Sequence, residues 1–155
     1  MVVLDGKLVA QTRRAKLKER IAAFATRFQK KPGLTVVLVG DDPASHVYVR
    51  NKEKACVEVG INSHRIDLPK ETKVEELLQV IAKLNQDPEV HGILVQLPLP
   101  KHLDAEEILD AIDPRKDPDG LHYQNVGLMW AGRPRVRSCT PYGVMKILEH
   151  YALPV

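Results

Sequence analysis

The chain has 155 residues, 44% hydrophobic and 28% charged, enough apolar content for one domain core and too much for a disordered or fibrous chain. A net charge of +3 is too small to point to nucleic acid, and no apolar run approaches the roughly 20 residues that span a bilayer. Cys56 and Cys139 form neither a disulfide framework nor a C-x-x-C pair, and "MVVLDGKLVA" lacks a signal-peptide pattern, so a soluble protein of a reducing, intracellular compartment is expected.

Leu17, Ile21, Phe24 and Phe28 recur at helical spacing, which predicts a helix from Gly6 to Lys31, ended by Pro32-Gly33. It carries Arg13, Arg14, Lys16, Lys18, Arg20, Arg27, Lys30 and Lys31, either a solvated face or a landing surface for an anionic substrate tail. "LTVVLVG", Leu34 to Gly40, reads as a strand buried on both faces. Asp42 then caps a second helix, with Pro43 at its first position, running to about Gly60. Ile61 to Leu68 is a weaker strand candidate. Thr72 and Glu75 form a capping box before a helix marked by Leu77, Leu78, Ile81 and Leu84. Val90 to Gln96 is another buried strand, halted by "LPLP". Asp104 and Glu107 form a second box before Ile108, Leu109 and Ile112. Pro114 to Ser138 reads as irregular, and Thr140-Pro141 opens a last helix through Val144, Ile147 and Leu148.

Strands alternating with helices predict an α/β three-layer domain, its mostly parallel sheet flanked by helices. Ligands bind beyond the carboxyl ends of such strands. "GDDPASHVYVRNK" and "QLPLP" leave those ends, so Tyr48, Lys52 and Gln96 are expected in one pocket.

Tyr48 and Lys52 lie at i and i+4, roughly 40° apart around a helix, whereas Lys54 points away. The positive end of the helix dipole and burial would each disfavour a charged lysine, and a neutral amine can act as a base or activate water. The alternative is a structural lysine snorkelling from a half-buried helix. Tyr-x-x-x-Lys also occurs in short-chain dehydrogenases, but no two of the nine glycines here fall at the G-x-G spacing of a dinucleotide loop. "GLMWAGRP" has Arg133 and Pro134 where a phosphate-binding loop needs Lys and Ser or Thr. The six histidines show no zinc pattern. In "KDPDGLH", Asp117 and Asp119 form either a plain turn or a carboxylate that reads the amide-and-amine edge of a heterocycle.

Taken together, "VGDDPASHVYVRNKEKACVEVGI", "ELLQVIAKLNQDPEVHGILVQLPLP", "RKDPDGLHYQNVG" and "SCTPYGV", in this order, resemble the methylenetetrahydrofolate dehydrogenase–methenyltetrahydrofolate cyclohydrolase family across essentially the whole chain. The resemblance implies interconversion of methylene-, methenyl- and formyl-tetrahydrofolate in cytoplasmic one-carbon metabolism, with tetrahydrofolate derivatives as partners and neither nucleic acid nor membrane. It places the catalytic lysine on Lys52, its companion tyrosine on Tyr48, the lysine-holding glutamine on Gln96 and the pterin-binding aspartate on Asp119. Gln96 is expected to favour the neutral amine, and Val95, Leu97 and Pro98 are expected beside it against the substrate. The resemblance further implies that residues 1–139 are the folate-binding catalytic domain. Residues 140–155 would begin a connector to an NADP-binding domain beyond this chain, which supplies the dehydrogenase step. No metal is implied, and the complete enzyme would be a homodimer. The other reading is a folate-binding or partner-binding module without redox activity.

Overall fold

The computed structural model describes residues 3–154. Three strands, β1 (Gly33–Val39), β2 (Asn62–Leu68) and β3 (Gly92–Val95), form one sheet in the order β2-β1-β3. Both pairings are parallel, with Val37 opposite Ile66 on one side and Val95 on the other. Helix α1 spans Gly6–Phe28, α2 Pro43–Val59, α3 Val74–Gln86, α4 Ala105–Asp110, α5 Tyr123–Trp130 and α6 Cys139–His150.

Alternation along β1 divides its side chains between the two faces. Val37 and Val39 join Ile93 and Val95 in a core with Leu77 and Ile81 of α3 and Ile108 of α4. Val36 and Leu38 turn the other way, with Leu94, onto Val49 of α2. Helix α1 packs outside α2. The expected three layers are therefore present. Burying each large aliphatic side chain stabilises the fold by roughly 1.5–3 kcal/mol. At Gly33, β1 passes close to the segment leading into β3. Gly33 donates its N–H to His91 Nδ1 at 3.0 Å, and a Cβ there would lie 2.1 Å from the Glu89 carbonyl oxygen.

The structure corrects the sequence in local detail. Helix α3 starts one residue later than the Thr72–Glu75 box implies. Thr72 is held by its N–H donating to Pro69 O, and the Glu76 carboxylate accepts from the Lys73 N–H at 3.2 Å. Asp104 caps α4 by accepting from the Glu106 N–H at 2.9 Å, with no return bond from Glu107 among the described residues. The segment Pro114–Ser138, expected to be irregular, contains α5, whose cap is a histidine: the His122 ring accepts from the Gln124 N–H at 3.0 Å. Helix α6 begins at Cys139, one residue before the expected start, and folds back on α1, where the Asp5 N–H donates to the Tyr151 hydroxyl at 2.9 Å. The expected division at 139/140 thus falls in the first turn of α6.

The candidate active site

Because β1 and β3 are parallel neighbours, the segments leaving their carboxyl ends emerge side by side. After β1 the chain enters α2 through Asp42, whose carboxylate accepts from the Ser45 N–H at 2.7 Å. That backbone bond is the main reason the carboxyl sits below its usual pKa. Along α2, Ser45, Tyr48 and Lys52 follow the i, i+3, i+7 spacing of one face, while Val49, Cys56 and Val59 are buried. After β3, Gln96 continues the ladder by donating its N–H to Val37 O at 2.9 Å. The Leu97–Pro98 peptide bond that follows is cis.

Between these segments lies a cavity of about 500 Å³. Tyr48, Lys52, Gln96, Leu97, Pro98 and Asp119 all line it, as the sequence led one to expect. Lys52 Nζ donates to Gln96 Oε1 at 3.1 Å, and Gln96 Nε2 in turn donates to Leu97 O at 2.6 Å. The second bond fixes which end of the amide faces the lysine. Gln96 therefore offers an acceptor, which an ammonium can use as well as an amine. The contact holds the Lys52 amine in place at the cavity wall. Lys52 lies in the third turn of α2, whereas the influence of the helix dipole fades within the first.

Two residues of interest lie elsewhere. Val95 is buried in the core with Leu77 and Ile93 rather than on the cavity wall. Asp117 is only 5% exposed and is surrounded by backbone donors, so the two carboxylates of "KDPDG" have separate tasks. None of the basic residues of α1 lines the cavity, and Arg13 and Arg14 face Glu149 and Glu58 instead.

The sequence reading missed Ser45, Leu121 and the first turn of α6, Ser138 to Pro141, all on the wall. Ser45 could have been found by stepping back three residues from Tyr48. Its hydroxyl is buried without a hydrogen-bond partner of normal geometry among the described residues, although it is near enough to Asp42 to help keep that carboxyl ionised. Partial burial first, then the neighbouring Asp119, raises the Cys139 thiol pKa, and Sγ donates to Pro118 O at 3.3 Å. Among the described residues no group of three or more histidine, cysteine or acidic side chains is placed to hold a metal, and no helix is long and apolar enough to cross a membrane.

A parallel α/β domain with a lysine, a tyrosine and a glutamine gathered at the carboxyl ends of two adjacent strands belongs to the ligand-binding α/β class, with the equipment for proton transfer. The sequence profile described as "Tetrahydrofolate dehydrogenase/cyclohydrolase, catalytic domain" matches residues 4–119. The chain belongs to that family. It is 55% identical over 154 residues to the bifunctional protein FolD of Desulfovibrio desulfuricans, covering 99% of this chain and 54% of that protein. The FolD methylenetetrahydrofolate dehydrogenase/cyclohydrolase of Campylobacter jejuni superposes with a TM-score of 0.95 at 45% identity, over 99% of this chain and 54% of that one. The Trypanosoma brucei enzyme, solved with NADP cofactor and an inhibitor, superposes at 0.93 with 35% identity, over 98% and 52%. The chain thus spans about half the length of the curated relatives it matches.

Proposed function

We propose that the cavity binds a reduced folate and that Lys52 assists hydrolysis of 5,10-methenyltetrahydrofolate to 10-formyltetrahydrofolate. The observation that carries this reading is the Lys52–Gln96 bond at 3.1 Å, within a cavity that also holds Tyr48 and Asp119. Water adds to the methenyl carbon, the bond from that carbon to N5 breaks, the formyl group stays on N10, and one proton is released. Lys52, aimed by Gln96, receives or relays that proton. Tyr48 is 63% exposed at the rim, where its ring can cover the aminobenzoate or pterin. Asp119 accepts from the pterin amino group. Leu97 and Pro98 supply apolar wall.

The names of the relatives favour a bifunctional protein whose other activity is a dehydrogenase. The turn after β1 reads "GDDPAS" and lacks the closely spaced glycines that bring backbone against a pyrophosphate. Hydride transfer to NADP therefore calls on residues beyond this segment, as does the homodimer that the resemblance suggests.

The test is calorimetric titration of the chain with tetrahydrofolate. The unmutated protein binds, and Tyr48→Ala and Asp119→Ala each bind about tenfold or more weakly, as expected for the loss of one substrate contact. Equal affinity in all three proteins, each shown to be folded, would remove the cavity from consideration.

A further inference from the structure

The segment Lys116–Gly120 gives each residue a separate mechanical task. Lys116 ties it down first: its carbonyl accepts from the Ile93 N–H of β3 at 2.8 Å, while its Nζ donates to Leu84 O and Asp87 O at the end of α3. Asp117 follows, and its carboxylate gathers four donors. One oxygen accepts from the backbone N–H groups of Asp119 at 3.1 Å and Gly120 at 2.9 Å. The other accepts from the His122 N–H and from Asn125 Nδ2, both at 2.9 Å. Pro118, which has no N–H to offer, carries the chain across. Gly120 adopts φ +67°, where a Cβ would meet the backbone of Arg137 and Ser138 at 2.9 Å.

Beyond the turn, Asp119 O accepts from the Cys139 N–H at 3.1 Å, and Gly120 O accepts from the Ser138 hydroxyl at 2.9 Å. One buried carboxylate therefore organises the peptide that carries Asp119, the start of α5 and, through the backbone of Asp119, the first turn of α6 on the opposite cavity wall.

We infer that Asp117 is a positioning residue for ligand recognition: it holds the Asp119 carboxylate at the place where it accepts from the amino group of the bound pterin. This inference rests on the proposed folate site. A carboxylate facing four N–H groups fixes the turn, whereas an amide there turns at least one donor against another donor. In Asp117→Asn the Asp119 side chain is still present and still ionisable, but its peptide is free to rotate. What is lost is aim, not charge.

The experiment measures discrimination rather than affinity alone. Tetrahydrofolate and an analogue lacking the pterin 2-amino group are titrated against the unmutated chain, Asp117→Asn and Asp119→Ala. The unmutated chain prefers the amino-bearing ligand by about tenfold to a hundredfold, the worth of one hydrogen bond to a charged acceptor. Asp119→Ala abolishes the preference, and Asp117→Asn cuts it to within about threefold of unity while binding of the analogue stays nearly unchanged. In the Asp119→Ala background, Asp117→Asn adds no further loss of preference. A purely structural role moves binding of both ligands together and leaves the ratio intact, which overturns the inference. Equal binding of the two ligands to the unmutated chain overturns the Asp119 reading itself, and this inference with it. Should Asp117→Asn fail to fold, Asn125→Ala removes one of the four donors while keeping the carboxylate. It lowers the same ratio if the inference holds and leaves it unchanged if not.

Discussion

Gln96 presents its carbonyl oxygen to Lys52 Nζ at 3.1 Å because its amide nitrogen is held by the carbonyl of Leu97 at 2.6 Å. The lysine is thus aimed by a side chain whose orientation is set by the backbone of the next residue. Gln96→Leu keeps much of the volume and removes both bonds. It is expected to slow methenyltetrahydrofolate hydrolysis by about tenfold or more while changing folate affinity little, because a base that is out of line costs rate more than binding. Steady-state kinetics that separate kcat from KM check this; a rise in KM alone would assign Gln96 to substrate binding.

Gly120 has a different kind of constraint. A methyl group there would lie 2.9 Å from the backbone of Arg137 and Ser138, at a residue with φ +67°. Gly120→Ala must therefore push the first turn of α6 away from the Asp119 loop, widening the cavity. The expected result is a folded protein with folate affinity reduced about tenfold or more, since both walls move. Binding at the unmutated level would show that the two walls act independently.

The core prediction concerns stability. Ile81 is fully buried between α3 and the sheet, so Ile81→Ala is expected to cost about 2–5 kcal/mol in chemical denaturation. A loss below about 1 kcal/mol would mean that α3 repacks to fill the space.

Asp113 supplies a pH dependence. Its carboxylate accepts from the Arg115 guanidinium, with contacts down to 2.5 Å, and that bond first, with the Arg115 N–H adding to it, lowers its pKa to about 2. A carboxyl whose pKa is lower folded than unfolded stabilises the fold fully above the ordinary aspartate value of about 4. That contribution disappears as pH falls from about 4 toward 2. Asp113→Asn is expected to be less stable than the unmutated chain at neutral pH and to approach it in acid. A difference that stays constant over that interval would contradict the linkage.

Much of this architecture was legible because its signals are local. The β-branched runs of β1 and β3 announce strands buried on both faces, and Asp42-Pro43 announces the start of α2. Once those elements are placed, the i, i+4 relation of Tyr48 and Lys52 and the carboxyl-end rule bring them to Gln96 without further information. Other features depended on long-range contacts. Helix α5 is short and starts from a histidine cap, which no propensity favours. The Thr72–Glu75 box lost to Lys73–Glu76 because Thr72 was already held in the turn after β2. The roles of Asp117 and Asp119 could not be divided from the string "KDPDG" alone. Only the fold shows that one carboxylate faces four N–H groups while the other faces the cavity. The α6 wall was hidden for the same reason, since Ser138 and Cys139 reach the site only by docking on that loop.

The most direct test of the account is methenyltetrahydrofolate hydrolysis by Lys52→Met, measured in a protein that joins this segment to the other half its relatives possess. Methionine keeps the apolar stem and removes the amine that Gln96 holds. Hydrolysis is expected to fall about 10²–10⁴-fold, the usual worth of a positioned proton acceptor, with folate binding and most of the hydride-transfer rate retained. Lys52→Arg fares no better, because a guanidinium stays protonated. Hydrolysis at the unmutated rate in Lys52→Met would make Lys52 a structural residue and contradict the central claim.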